Sequence, residues 1–310
     1  MALNPETTST LSSHLMTYLE KRFLDRLLVK FHFDKFAMKQ KLKKGSGKDV
    51  KWHRWTNIAD STTPLTEAVT PSGYDLASAS VTATVAQYGQ FATTSDFLIL
   101  TAINDMLKDM VDLLGYAAGK SLDALIRNEV DVNGTQQFAN GLANVAAVQA
   151  DPTAVLDAGE IRTAVKALRS ADVDEWPDGM YRAIIDPVGE FDLLSETAAG
   201  SAIQTVQHTD FGPIEKGMVG SLYGVKFFRS SHIRTNDAPN TNVYKHVIVG
   251  QNAYGSVDLE GGATEIITKP LGSAGSEDPL NQRATVGYKF YYATKVLDAT
   301  RIRVINAYGS

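Results

Sequence analysis

The sequence predicts an α+β fold, on the strength of three features that follow one another along the chain. Two polar, β-prone arms form a ribbon near the amino terminus, a helical pattern follows the ribbon, and helices then alternate with strands. At 310 residues, the chain has room for one large domain or for two interleaved lobes.

The ribbon consists of arms at 48–58 and 80–93, joined by a turn-rich tip at 59–79. Side chains of the second arm alternate between two faces, but both faces carry mainly Thr, Ala and Gln, so neither supplies a core. An isolated two-stranded hairpin is marginal in water, so we expect the arms to lie on a neighbouring surface, such as another copy. An ordinary hairpin within one chain, with a long loop, is the alternative.

Two helices and a joint are predicted around the ribbon. Apolar residues recur at mostly four-residue spacing in 8–30, which predicts an amphipathic helical arm. Residues 39–51 are charged and contain Gly45 and Gly47, which indicates a flexible joint. The longest helical pattern covers 103–130 and stops at Asn133-Gly134, so we expect a helix that forms the spine of a lobe.

From about residue 155, the pattern indicates an α/β lobe. Helices are predicted at 157–170 and 188–199, with a strand at 181–187 between them. Strand composition recurs at 218–231 and 242–250.

The carboxy-terminal part is predicted to close the fold with a hairpin. Residues 284–306 alternate apolar and polar side chains in two runs, with Leu297 to Thr300 as the turn. The preceding residues, 271–282, are polar and rich in Gly and Ser, which is typical of a linker.

Composition restricts the possible functions. The chain has no cysteine, which excludes disulfides, thiolate chemistry and the commonest zinc sites. No apolar run approaches the ~18 residues of a membrane span. The first residues lack the features of a secretory signal, so export by that route is not expected.

Charge is segregated along the chain. Residues 1–54 carry 12 Lys and Arg against 5 Asp and Glu, a net +7, so the total of −5 leaves −12 for the remainder. A basic arm could contact nucleic acid or dock on the acidic body of a neighbouring copy. Docking is favoured, because outside Trp52 and Trp55 the basic residues lack the closely spaced aromatic platforms of a single-strand binder.

Motifs that resemble catalytic or binding loops fail in detail. GYAAGKS, at 115–121, has one residue too few for a phosphate-binding loop and lies inside the predicted long helix. DVDEWPDG, at 172–179, has Pro177 where a calcium loop requires Gly. GSLYG, at 220–224, has Leu222 where a nucleophilic Ser would stand. The six His never occur at ligand spacing, so no catalytic, cofactor or metal site is predicted, although distant carboxylates could still meet in space.

Several stretches together resemble tailed-phage major capsid proteins. They are PLTEAVTPSGYDL at 64–76, TATVAQYGQFATTSDF at 82–97, GKSLDALIRNEV at 119–130 and DPLNQRATVGYKFYYATKVLDATRIRVI at 278–305. The resemblance implies the major capsid protein fold, with four parts. These are an amino-terminal arm at 1–47, an extended loop at 48–94, a peripheral domain at 95–155 and 265–310, and an axial domain at 156–264.

The resemblance also implies a structural shell subunit without catalytic residues or cofactors. Such a subunit assembles with itself as hexamers and pentamers into an icosahedral shell, the virion capsid, in the bacterial host cytoplasm. The shell encloses packaged double-stranded DNA without sequence-specific binding and without a membrane. Further partners implied are a portal and a decoration protein. A separate scaffolding protein is also expected, because the chain reaches its predicted arm by residue 11.

The predicted contact between subunits lies on the ribbon. Trp52 and Trp55 are expected to anchor it, because large aromatics contribute most at interface centres; packing of both within their own chain is the alternative. Charged residues of the ribbon are expected to orient the approach, and these are Lys48, Lys51, Arg54 and Glu67. Some relatives join subunits through a Lys to Asn bond, but no acceptor Asn is placed beside Lys48 or Lys51, so no crosslink is predicted.

Two other function classes stay open at this point. An encapsulin-like compartment shell would share the fold and enclose enzymes. A soluble enzyme would need a site assembled from distant carboxylates.

Overall fold

The computed structural model describes residue 23 and residues 32–56, 58, 60–71, 73–102, 106–196, 218–233, 242–260, 262, 264–273 and 277–309. The helix predicted at 8–30 lies outside these residues apart from Phe23, whose buried ring is 6.1 Å from the ring of Tyr288. No helix in these ranges is long and apolar enough to cross a membrane.

The described residues form helices and strands with the following bounds. The helices are α1 Asp96–Thr101, α2 Met106–Asn133, α3 Val145–Ala150, α4 Ala158–Ser170 and α5 Pro187–Ser195. The strands are β1 Met38–Leu42, β2 Asp49–Trp55, β3 Ser78–Thr84, β4 Ala86–Ser95, β5 Thr135–Phe138, β6 Tyr181–Ile185, β7 Met218–Leu222, β8 Val225–Arg229, β9 Val243–Val249, β10 Tyr254–Leu259, β11 Glu265–Lys269, β12 Arg283–Val296 and β13 Ile302–Tyr308. Short 3-10 turns occupy Phe33–Phe36, Ala139–Gly141 and Ala299–Arg301.

The first sheet has five strands arranged around β12. This strand pairs antiparallel with β4, β10 and β11, and β1 pairs parallel with β10. Alternate residues of β12, from Ala284 to Tyr292, are buried against the core. The two-residue alternation in the sequence therefore marks the face of the sheet that packs on α2.

Helix α2 corresponds to the long helix predicted over 103–130. It ends at Asn133, as the sequence predicted. Residues 115–121 lie inside it, so their amides form helical bonds and do not cradle a phosphate. Gly115, Ala118 and Gly119 are buried, and these small residues let the helix approach its neighbours closely.

The second sheet has six strands in the order β5-β13-β9-β6-β8-β7. It shares a buried cluster with α4 and α5, the two helices predicted for the α/β lobe. Asp157 and Asp186 cap these helices by accepting hydrogen bonds from the backbone of Glu160 and Val188. GSLYG forms the β7–β8 turn, where Tyr223 and Gly224 both have positive φ, as tight hairpin turns require.

The closing hairpin predicted over 284–306 is wrong. Strand β12 belongs to the five-stranded sheet, whereas β13 pairs with β5 and β9 of the six-stranded sheet. Asp298 caps the 3-10 turn between them, and the chain passes there from one sheet to the other. Burial alternates along β12 as predicted, whereas Val304 to Ala307 of β13 are all buried, and the partners of both strands are distant in sequence.

Sheet membership also crosses the predicted domain boundaries. Strand β10, within 156–264, pairs with β12, and β13, within 265–310, pairs with β9. The charged stretch 39–51 is not a joint throughout, because Met38–Leu42 forms β1 and only the following turn separates it from β2.

Three polar side chains hold the segment from His32 to Asp34 against the body. Asp123 Oδ1 accepts hydrogen bonds from the backbone amides of His32 and Phe33, both at 2.8 Å. Tyr254 donates to the Phe33 carbonyl at 2.6 Å, and Tyr292 donates to Asp34 at 3.1 Å. Helix α2 and strands β10 and β12 thus hold one short segment together.

Candidate inter-subunit surface

The ribbon is built from β2 and β3, which pair antiparallel from Asp49–Thr84 to Trp55–Ser78. The predicted second arm, 80–93, divides at Val85. Residues up to Thr84 pair with β2, while β4 joins the body by pairing with β12. Only residues 80–84 of that arm therefore belong to the ribbon.

The base of the ribbon has a small core of its own. Val50 and Ala83 pack with Leu42, Val257 and Ala293, and all five are buried. The ribbon thus draws on the body for apolar contacts at its base.

The ribbon beyond its base is exposed. Every described residue from His53 to Ser80 is exposed to solvent. These residues include large apolar side chains with exposed fractions between 54% and 75%, namely Trp55, Ile58, Leu65, Val69, Tyr74 and Leu76. Soluble monomers rarely expose so many apolar side chains in one segment, so this part is suited to contact with another molecule.

Trp52 and Arg54 contact their own chain. The Trp52 ring packs against Gly255, where an added Cβ would lie 2.7 Å from the ring, and its Nε1 is buried without an acceptor. Arg54 forms an ion pair with Asp298, which also lies 3.5 Å from Arg301.

The Asp298 carboxylate is the centre of this small charge network. Burial alone would raise its pKa, but hydrogen bonds from Thr300 and the charges of Arg54 and Arg301 hold the pKa of Asp298 below its usual range. The network connects β2 of the ribbon to the turn between the two sheets.

The other predicted contact residues have exposed side chains. Lys48 lies in the turn before β2, Lys51 and Trp55 lie on β2, and Glu67 lies in the tip. The structure therefore separates the six residues into two that contact their own body, of which Arg54 is nevertheless exposed, and four that are exposed. Their contact with a second subunit stays a prediction.

Sequence reasoning missed the partners of the ribbon base. Gly255, Asp298 and Arg301 lie about 200 residues or more beyond Trp52 and Arg54, and no local pattern connects them. The exposed apolar residues of the tip were visible in the sequence, scattered among Thr, Ser and Pro.

The described residues offer little for catalysis. They contain no group of three His, Asp or Glu side chains placed to hold a metal ion. Burial lowers the pKa of His246 to about 3, so this imidazole is a neutral packing group against Gly189. A cleft of about 430 Å³ beneath the ribbon is lined by residues that include Met38, Trp52 and Trp55.

Comparison with known proteins identifies the family. A model of the phage capsid protein family matches residues 78–305, which is most of the chain. The chain belongs to the phage capsid protein family. No curated protein sequence matches the chain.

Solved structures agree with this family. The capsid protein of cyanophage P-SCSP1u is 16% identical, with a TM-score of 0.66, over 90% of this chain and 89% of that one. The capsid of cyanophage Pam1 is 13% identical, with a TM-score of 0.66, over 92% and 93%. A virus-like particle from Pyrococcus furiosus is 10% identical, with a TM-score of 0.56, over 94% and 99%.

These findings confirm the predicted fold and the structural role. The protein is a structural capsid shell protein of the kind found in tailed phages, and not an enzyme. The fold is shared with the virus-like particle, and a compartment shell of the same fold is the first alternative that the sequence left open. The family match favours the phage capsid over that alternative.

Proposed function

We propose that this capsid protein forms an icosahedral shell of hexamers and pentamers by laying its ribbon over a neighbouring copy. The observation that carries the proposal is the exposure of every described residue from His53 to Ser80, including six large apolar side chains. Burying one such side chain contributes about 1.5–3 kcal/mol, so a covered ribbon is far more stable than a bare one.

A closed shell repeats the same contacts many times. Each contact therefore needs only modest strength, provided that it buries roughly 1,000 Å² or belongs to a network. Weak individual contacts also let misplaced subunits dissociate during assembly. The ribbon supplies one such repeated contact.

The four predicted parts carry over to this proposal. Residues 1–47 act as the arm, 48–94 as the extended loop, 95–155 with 265–310 as the peripheral domain, and 156–264 as the axial domain. The two sheets support a division into two lobes, although β10 and β13 each pair across the proposed boundary.

The remaining partners are part of the same proposal. The shell forms in the bacterial host cytoplasm with a separate scaffolding protein and a portal, and a decoration protein binds the finished shell. Packaged double-stranded DNA fills the interior without sequence-specific contacts, which the net negative charge of residues 55–310 supports.

Electron microscopy of the expressed chain tests this proposal. We expect closed shells of uniform size when the chain is expressed with the scaffolding protein from the same source. Replacing residues 58–76 with a two-residue turn should leave folded subunits that form no shells. Shells of normal yield from that variant would show that the ribbon is not needed.

A further inference from the structure

The charge of the ribbon is divided along its length. The basic turn, defined as Lys43, Lys44, Lys48 and Lys51, lies at the base, between and beside β1 and β2. The acidic tip, defined as Asp60, Glu67 and Asp75, lies at the far end. No Lys or Arg occurs between Arg54 and Lys108, so the tip carries only negative charge.

The four lysines of the basic turn lie in or next to the short connection between β1 and β2. Gly45 and Gly47 have φ of 86° and 84°, a conformation that glycine adopts readily, and they let the chain reverse between β1 and β2. All four lysine side chains are exposed, and none forms an ion pair among the described residues. The nearby Asp49 accepts a hydrogen bond from Thr84.

The acidic tip combines its charges with apolar side chains. Leu65, Tyr74 and Leu76 lie close in sequence to Glu67 and Asp75, and at least 58% of each apolar side chain is exposed. A complementary surface must therefore offer positive charge beside apolar atoms. The two strands that flank the basic turn lead from it to the cleft beneath the ribbon, where Met38, at the start of β1, and Trp52 and Trp55, in the second half of β2, form part of the lining.

We propose that the acidic tip of one copy docks on the basic turn of the next copy, while the apolar tip residues lie along β1 and β2 of that copy, toward the cleft beneath its ribbon. This inference rests on the proposed function and names the surface that receives the ribbon. Both halves of the contact are present on every chain, so each copy gives one tip and receives another. The result is a head-to-tail contact, which closes into rings when the rotation between copies permits.

Charge decides against two other arrangements. A two-fold contact of tip against tip would bring carboxylates together, which is unfavourable. Phosphate groups of DNA would attract the basic turn but repel the acidic tip, so DNA accounts for only one of the two features. A second copy of this chain complements both the basic turn and the acidic tip.

The ribbon is long enough for this contact. Seven strand residues extend about 23 Å, and the eleven residues on each side of the tip add at most about 36 Å. A compact chain of this length is roughly 50 Å across. The reach of the ribbon thus matches one step from a subunit to its neighbour.

Reciprocal charge reversal tests the proposal. One variant carries Asp60→Lys, Glu67→Lys and Asp75→Lys, a second carries Lys43→Glu, Lys44→Glu, Lys48→Glu and Lys51→Glu, and a third combines all seven. We expect each of the first two to lower the initial rate of shell assembly at least tenfold, measured by light scattering with the scaffolding protein. The combined variant should recover to within about threefold of the wild-type rate, because the attraction is restored with opposite signs.

The outcomes separate this inference from the proposed function. If the wild-type chain forms shells but the combined variant is no better than either parent, the tip does not meet the turn, and the shell function stands. If tip reversal has no effect while turn reversal lowers only the DNA content of the particles, the basic turn binds phosphate and the inference is wrong. If the wild-type chain forms no shells with its scaffold, the proposed function and this inference fall together.

Discussion

At the scale of single residues, Asp123 shows how burial makes one carboxylate sensitive to pH. Its side chain is 1% exposed and accepts two backbone amides, and its second oxygen is buried without a partner. Burial raises the pKa of Asp123 to about 6, even though the amides of Phe33 and His32 and the charge of Arg127 act to lower it.

The raised pKa predicts how stability depends on pH. The folded pKa of Asp123, about 6, lies above the unfolded value of about 3.9, so the folded state binds the proton first. Protonation of Asp123 therefore contributes at most about 3 kcal/mol to the free energy of unfolding. This contribution is complete below about pH 4 and is lost as the pH rises through 6. We expect Asp123→Asn, which keeps an acceptor for both amides, to remove this pH-dependent contribution. Urea unfolding of unassembled subunits at both ends of this range measures the difference.

The comparison between wild type and variant isolates this one group, since other titrating residues contribute equally to both. Asp123→Asn should gain stability relative to wild type as the pH rises from about 4 to about 7. A difference that stays constant with pH would show that the buried carboxylate does not titrate there. Asp123→Ala should lose about 1–3 kcal/mol at low pH as well, because two buried amides lose their acceptor.

At the scale of elements, local patterns predicted the elements better than their partners. The apolar spacing of α2 and its end at Asn133 are properties of neighbouring residues, and both were predictable. The alternation in β12 was also visible, but it does not say which strand lies alongside. Pairing of β13 with β9, and of β4 with β12, depends on contacts far apart in sequence.

The ribbon was predicted in outline for the same reason. Its polar arms are local features, whereas the Arg54–Asp298 pair that holds its base joins residues separated by 244 positions. The sequence could therefore indicate which segment projects, but not where the body begins to support it. That boundary, at Val85, decides which ribbon residues are available to a neighbour.

The exposed tip predicts a protease-sensitive element. Chymotrypsin should cut the unassembled subunit at Tyr74, which is 58% exposed, and should spare this site in assembled shells, where a neighbour covers it. Trypsin provides a matched control, because residues 55–107 contain no Lys or Arg and cannot be cut by it. Mass spectrometry of the fragments identifies the sites. Equal cleavage at Tyr74 in subunits and in shells would mean that the tip stays uncovered after assembly.

At the scale of the whole molecule, the structure divides the ribbon between two tasks. The base belongs to the subunit, because Trp52 packs on Gly255 and Arg54 pairs with Asp298. We propose that the part beyond it serves the assembly, because its large apolar side chains are more than half exposed in the subunit. The two tryptophans, three residues apart on β2, therefore stand on opposite sides of this division.

This division predicts that substituting the two tryptophans changes different properties of the protein. Trp52→Ala should lower the free energy of unfolding by about 2 kcal/mol, since it removes a half-buried ring from the body. Trp55→Ala should change that free energy by less than about 0.5 kcal/mol, because 63% of the side chain is exposed. Instead, Trp55→Ala should lower the yield of shells, since large aromatics contribute most at interfaces. Urea unfolding and light scattering, applied to both variants, separate the two effects. Normal shell formation by the double variant would show that neither ring anchors the ribbon on a neighbour.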